Sequence, residues 1–287
     1  AFWSVVTGRT LPEQESGENV MSALLKTVNL ERTFGAVTAA TDINVELNSG
    51  EVVGVIGSNG AGKTTFINMV TGYIQPSGGD ILVRGQSIIG KSPRDVSLAG
   101  VGRSFQVPQL FQELTVLENM LIAFGFSVDR KLSFLKPLRS KEKVEKARAV
   151  LREYEIEQYA EEVVSTLPQG VRKLLDIAMA MLAEPGLMLL DEPTSGVAIE
   201  DKFLLMDTVM AAVRKSDAAT MFVEHDMEVV LRYADRVLAF YDGRVLADGP
   251  TQTVLSDPKV QELVVGHHLD LGENESNTSK EPDHART

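Results

Sequence analysis

The chain reads as an α/β protein: a mostly parallel sheet, an N-terminal antiparallel β part and an inserted helical block. Three observations point there. The apolar run at residues 52–56 leads through a glycine loop into a helix start, the strand–loop–helix order of a parallel α/β unit. Apolar runs at 187–190 and 220–223 alternate with helical patterns at 203–213 and 229–234, as expected of strands covered on both faces. Between these halves, residues 107–165 change to helical spacing with many charges.

In order, residues 24–30 alternate weakly as a strand, with Phe34-Gly35 in the turn after it. Residues 43–47 alternate apolar and polar, as in a half-buried antiparallel strand, and 48–50 turn into the run at 52–56. Residues 76–79 read as a turn and 81–83 as a strand ended by Gly85. A helical pattern starts at 116–120. Residues 129–148 are rich in Lys and Arg, while Val144, Ala147, Leu151 and Tyr154 recur at helical spacing. The basic side chains then form a solvated face, or a surface for anionic lipid or a partner. Leu174, Leu175, Ala178, Met181 and Leu182 make the stripe of another amphipathic helix. Residues 237–240 and 245–246 flank an Asp242-Gly243 hairpin turn.

The expected organisation is a tail or leader over 1–22, one domain over 23–270 with a helical subdomain inserted at about 107–165, and a polar tail over 271–287. That tail is too poor in apolar residues to fold. Hydrophobic residues make up 44% of the chain, enough for a full core. A formal net charge of −12 argues against a main surface for nucleic acid. The absence of cysteine excludes disulfides and cysteine-held metal centres. No apolar run approaches the roughly 20 residues that a membrane helix needs.

The chemistry starts at Gly57-Ser58-Asn59-Gly60-Ala61-Gly62-Lys63-Thr64-Thr65, which fits G-x-x-x-x-G-K-[ST]. Glycines let the backbone curl until its N–H groups face a polyphosphate, and the helix N-terminus adds a positive dipole end. Lys63 offers a point charge to the β- and γ-phosphates and Thr64 a hydroxyl to Mg²⁺. The plain alternative is a glycine turn, which the preceding strand and the Lys-Thr pair argue against. The expected ligand is a nucleoside triphosphate with Mg²⁺.

Ligands of an open parallel sheet sit outside the carboxyl ends of its strands. The run at 187–190 ends on Asp191-Glu192, and the run at 220–223 leads through Glu224 to His225. Asp191 suits the Mg²⁺ shell, Glu192 a general base for the attacking water, and His225 a γ-phosphate contact. The amide of Gln106, where the core gives way to the helical block, can reach Mg²⁺ or the water. Two surface acids, a structural histidine and a plain loop glutamine are the plain alternatives. Leu167-Pro168-Gln169-Gly170-Val171 opens the amphipathic helix, where free N–H groups can meet an anion; an ordinary helix entry is equally open.

With these motifs in this order, the chain resembles ATP-binding cassette (ABC) ATPases over about residues 24–266. The resemblance identifies Gly57–Thr65 as Walker A, Gln106 as the Q-loop glutamine, 187–191 with Glu192 as Walker B, and His225 as the switch histidine. It implies adenine stacking on Phe34, with a packed turn aromatic as the alternative. The basic insertion, the stretch 222–230 and Asp257-Pro258-Lys259-Val260 resemble ATP-binding subunits of branched-chain amino acid importers. Cassettes for urea and lipopolysaccharide share some of these features.

The resemblance further implies ATP and Mg²⁺ as cofactors, and separate permease subunits with a solute-binding protein outside the cell. The chain would sit at the cytoplasmic face of the inner membrane. The alternative is a soluble, non-transport ABC ATPase; a P-loop kinase or GTPase lacks the Gln106, Glu192 and His225 set.

Two motifs depart from the family. The signature Leu-Ser-Gly-Gly-Gln appears here with Pro168 and Gln169 at its second and third positions, leaving Leu167 and Gly170. Pro168 has neither the hydroxyl nor the N–H of the usual serine. Ala198 stands where an aspartate or asparagine is usual. Family cassettes pair head to tail, each signature closing the partner's site. The departures therefore imply a heterodimer with one strong and one weak site.

Overall fold

A computed structural model describes residues 23–127 and 139–266. The expected terminal tails at 1–22 and 271–287 and the start of the basic stretch lie outside the described residues. The strands form two sheets. β1 (Leu25–Phe34), β2 (Val37–Ile43), β3 (Glu46–Leu47), β5 (Gly78–Val83) and β6 (Gln86–Ser87) make an antiparallel sheet in the order β2-β1-β5-β6, with β3 also on β1.

The second sheet is mostly parallel. It comprises β4 (Val52–Gly57), β7 (Val101–Ser104), β8 (Leu187–Asp191), β9 (Ala219–Val223), β10 (Arg236–Tyr241) and β11 (Arg244–Pro250), in the order β11-β10-β4-β9-β8-β7. Only the β10–β11 hairpin is antiparallel. Its turn residues Asp242 and Gly243 both have positive φ, 46° and 73°, as an Asp-Gly hairpin requires.

The parallel strands are continuous apolar runs because both faces are covered. Val53, Val55, Leu187, Leu189, Met221 and Val223 pack toward the antiparallel sheet and helix α1 (Lys63–Val70). Val52, Ile56, Met188, Leu190 and Phe222 pack into the other core. That core holds α3 (Val116–Ser127), α4 (Lys141–Glu153), α5 (Gln169–Met181), α6 (Ile199–Ser216) and α7 (Met227–Tyr233). The short α2 (Pro93–Leu98) precedes β7.

Three local expectations shift. The strand at 24–30 runs on to Phe34. The single strand expected over 43–47 is broken, because Thr27 Oγ1 donates to the Ile43 carbonyl (3.0 Å) and accepts the Val45 N–H (2.9 Å). The turn expected at 76–79 ends sooner. Gly78 and Gly79 belong to β5, and a Cβ on Gly79 would lie 2.3 Å from the Asn29 carbonyl oxygen, so this glycine serves a close strand approach. On α4 the basic side chains meet acids, Arg148 with Glu161 at 2.6 Å and Arg152 with Glu157 at 2.8 Å.

Candidate nucleotide site

Gly57 to Gly62 curl between β4 and α1. A Cβ on Gly57 would sit 2.6 Å from the Phe240 carbonyl oxygen. A Cβ on Gly62, where φ is +100°, would sit 2.6 Å from that of Ala39. Neither place admits a side chain, so β10 and β2 hold the loop in its curl. The β10–β11 turn braces it further, Gly243 N–H donating to the Ala61 carbonyl at 3.1 Å.

The loop frames a cavity of about 150 Å³ lined by Asn59, Gly60, Lys63, Thr64, Glu192 and His225 among others. Lys63 is buried, and its ammonium donates to the carbonyls of Gly57 (2.5 Å) and Ser58 (3.1 Å). Burial pulls its pKa down, against the opposing pull of Glu192 and Asp191.

Three segments distant in sequence meet at the Glu192 carboxylate. Gln106, just beyond β7, donates its Nε2 to Glu192 Oε2 at 2.7 Å. His225, beyond β9, places Nε2 3.1 Å from Glu192 Oε1. Glu192 itself has a φ of +49°, uncommon for a residue other than glycine.

Beside it, Asp191 Oδ2 accepts from Arg103 Nη2 at 2.8 Å, with both side chains largely buried. Arg103 also donates to Asn68 Oδ1 (2.7 Å) and Thr71 Oγ1 (3.2 Å) on and just after α1. Its guanidinium lies over the rings of Phe105 and Tyr73. This one side chain therefore ties the Asp191 strand end to the helix behind the glycine loop.

Phe34 lies at the end of β1, 44% exposed, with the Arg32 guanidinium 4.4 Å from its ring centre. Pro168, Gln169 and Gly170 sit elsewhere, at the start of α5, where Pro168 is the N-cap. A Cβ on Gly170 would meet nothing closer than Val197 Cγ1 at 3.7 Å, so this chain's own packing does not demand glycine there. Ala198 is the N-cap of α6 and has no side-chain acceptor to offer.

Four polar residues of this region lie outside the motifs that the sequence singles out. Arg103 lies in β7, and Glu224 accepts the N–H and hydroxyl of Thr194 at 2.9 and 2.7 Å. Lys173 and Asp176 lie inside α5 and are buried. A signal for these two exists: 173 and 176 share a helix face with Ile177, so opposite charges fall on the apolar side.

The comparisons with known proteins agree with this geometry. The ABC transporter family matches residues 40–195. A probable branched-chain amino acid transport ATP-binding protein LivG of Archaeoglobus fulgidus is 33% identical over 246 residues, 85% of this chain and 95% of that protein. The high-affinity branched-chain amino acid transport ATP-binding protein LivG of Escherichia coli K12 is 34% identical, over 86% of this chain and 99% of that protein.

Among solved structures, an ATP-binding cassette of an ABC transporter in its ADP conformation superposes with a TM-score of 0.74 at 31% identity, covering 83% of this chain and 96% of that one. A nucleotide-free cassette gives 0.73 at 30% identity, covering 84% and 98%. A glycine loop, two acidic strand-end residues and a match along most of the chain lead to one assignment: this protein belongs to the ABC transporter family, as one of its ATP-binding subunits.

Proposed function

We propose that the chain hydrolyses ATP with Mg²⁺ to drive import of branched-chain or other amino acids through separate permease subunits. The observation that carries the site reading is the meeting of Gln106, Glu192 and His225 at the mouth of the glycine loop. The residues fit a metal–triphosphate: the curl admits no side chain at Gly57 or Gly62, the Thr64 hydroxyl lines the cavity, and the Asp191 carboxylate, paired through Oδ2 with Arg103, is a second hard oxygen donor at the neighbouring strand end. Bound Mg²⁺ supplies charge neutralisation to the phosphate oxygens.

The chain's own groups do the rest. Backbone N–H groups from Gly57 to Thr65 and the Lys63 ammonium bind phosphate. Thr64, Asp191 and the Gln106 amide oxygen would hold the metal. The Glu192 carboxylate orients the attacking water and accepts its proton. His225 contacts the γ-phosphate, and Phe34 stacks on the adenine through the ring face away from Arg32.

We read residues 23–270 as one ATPase domain with the helical block at about 107–165 inserted. Its seat is the cytoplasmic face of the membrane. Among the described residues no helix is long and apolar enough to cross a bilayer. A solute-binding protein completes the complex.

The partner cassette is a different chain. Pro168, Gln169 and Gly170 close the partner's site and do so weakly, while this chain's Walker residues build the strong one. Each missing charge-assisted hydrogen bond to phosphate costs about 1.5–3 kcal/mol, slowing the weak site tenfold or more.

The test is purification from native membranes followed by trapping with Glu192→Gln. Co-purification of a permease and a second cassette, with turnover abolished at one site only, supports the proposal. A chain found wholly in the soluble fraction, or equal turnover at both sites, contradicts it.

A further inference from the structure

We propose that Lys173 is a positioning residue for ATP hydrolysis: from inside α5 it fixes the backbones of Gln106 and Glu192 so that the two side chains meet where Glu192 lines the phosphate cavity. This rests on the roles given above to Gln106 and Glu192. Lys173 is fully buried. Its ammonium donates to the Gln106 carbonyl at 2.8 Å and to the Glu192 carbonyl at 2.7 Å. One donor group therefore joins the backbones of two residues 86 positions apart, whose side chains also meet.

Asp176, one turn further along α5, completes the grip. Its carboxylate accepts the N–H of Phe105 at 3.1 Å and of Gln109 at 3.0 Å. The loop carrying Gln106 is thus held through its carbonyl by Lys173 and through amides on either side by Asp176. Neither the packing of α5 nor the sheet demands a charge here, because Leu175, Ile177 and Ala178 fill the adjacent core with apolar side chains. Burying an ammonium is unfavourable unless its donors are used and opposite charge is near. Both conditions hold: two carbonyls accept hydrogen bonds from it, and Glu224, Asp176, Glu192 and Asp191 surround it with negative charge.

The Glu192 backbone explains what the hydrogen bond is for. A φ of +49° at a residue with a side chain persists only where its surroundings enforce it. The Glu192 N–H is fixed on the Val223 carbonyl at 3.0 Å, and its own carbonyl on Lys173. Releasing the carbonyl lets the peptide relax and turns the carboxylate away from Gln106 and His225. A misplacement of about 1 Å at a reacting group can lower a rate by roughly a hundredfold.

The experiment compares the wild type with Lys173→Met, Lys173→Arg and Glu192→Gln, each as the full chain in its purified transporter complex. It measures kcat and KM for ATP, with circular dichroism melts alongside. Lys173→Met keeps the stem and removes the donors. The expected result is a fall in kcat of about tenfold or more with KM within about threefold, and recovery by Lys173→Arg of most of that loss. A kcat for Lys173→Met within about twofold of wild type overturns the proposal. So does a parallel loss in kcat and ATP affinity that Lys173→Arg fails to relieve, since that marks a merely structural role.

If Lys173→Met does not fold, Lys173→Gln decides. It can reach one carbonyl, and a loss of about threefold in kcat at unchanged KM supports the role, while a wild-type kcat overturns it. Glu192→Gln separates the two levels of inference. Turnover retained by Glu192→Gln defeats the site reading and the proposal together. Turnover abolished there but intact in Lys173→Met defeats the Lys173 proposal alone.

Discussion

Replacing Arg103 by methionine should unsettle both the fold and its response to metal. The guanidinium pairs with Asp191 at 2.8 Å, and the two side chains are only 9% and 11% exposed. Solvent screens such a pair poorly, so losing one partner leaves a buried carboxylate uncompensated, at a cost of about 3–5 kcal/mol. The hydrogen bonds to Asn68 and Thr71 and the stacking over Phe105 and Tyr73 disappear with it. Since 1 kcal/mol moves the melting point of a large domain by about 2–4 °C, the expected drop in Tm is about 6–20 °C.

Asp191 in that variant is left without its cation, so Mg²⁺-ATP should raise Tm more in Arg103→Met than in wild type. The assay is a circular dichroism melt with and without Mg²⁺-ATP, run on Arg103→Met, Asp191→Asn and the double variant. A coupling of about 2 kcal/mol or more is expected. Effects that add within about 0.5 kcal/mol would refute the reasoning.

Ala198→Asn supplies the missing N-cap acceptor of α6 and should stabilise by about 0.5–2 kcal/mol; an unchanged Tm would show that the cap position is already satisfied. Gly62→Ala drives a methyl group against the Ala39 carbonyl and should weaken ATP binding about tenfold or more, read by calorimetry. Unaltered affinity would mean the loop tolerates another curl. Asp176→Asn probes a titration. Burial raises the Asp176 carboxyl above its ordinary 3.8, so between that value and its folded one the native state holds more protons than the unfolded chain. The contribution of Asp176 to stability is then full below 3.8 and declines as pH rises through the folded value. The Tm of wild type relative to Asp176→Asn should fall over that window, and a flat difference would contradict the assigned burial effect.

What the sequence made legible was what local chemistry fixes. The glycine loop announces itself because each fixed residue answers a short-range demand, curl or charge or hydroxyl, between one strand and one helix. The Asp242-Gly243 turn is legible for the same reason. Glu192 and His225 could be placed at a common rim because parallel strands put their carboxyl ends on one side, whereas the strand Val101–Ser104 that brings Gln106 there has too few apolar residues to show. Arg103 and Lys173 were not legible. Their partners lie 88 positions away at Asp191 and 67 away at Gln106, so although Lys173 falls on the apolar side of its helix, nothing local says what either charge would meet. The broken strand at 43–47 fails likewise, since a hydroxyl from Thr27 on a neighbouring strand takes over its hydrogen bonds.

The most direct measurement is the ATP affinity of the purified full chain with Mg²⁺, by isothermal titration calorimetry, for wild type and Lys63→Ala. If the glycine loop grips the triphosphate, removing one charge-assisted hydrogen bond of about 1.5–3 kcal/mol should weaken binding about 10- to 150-fold. Equal heats and equal affinity in the two proteins would contradict the site on which the account stands.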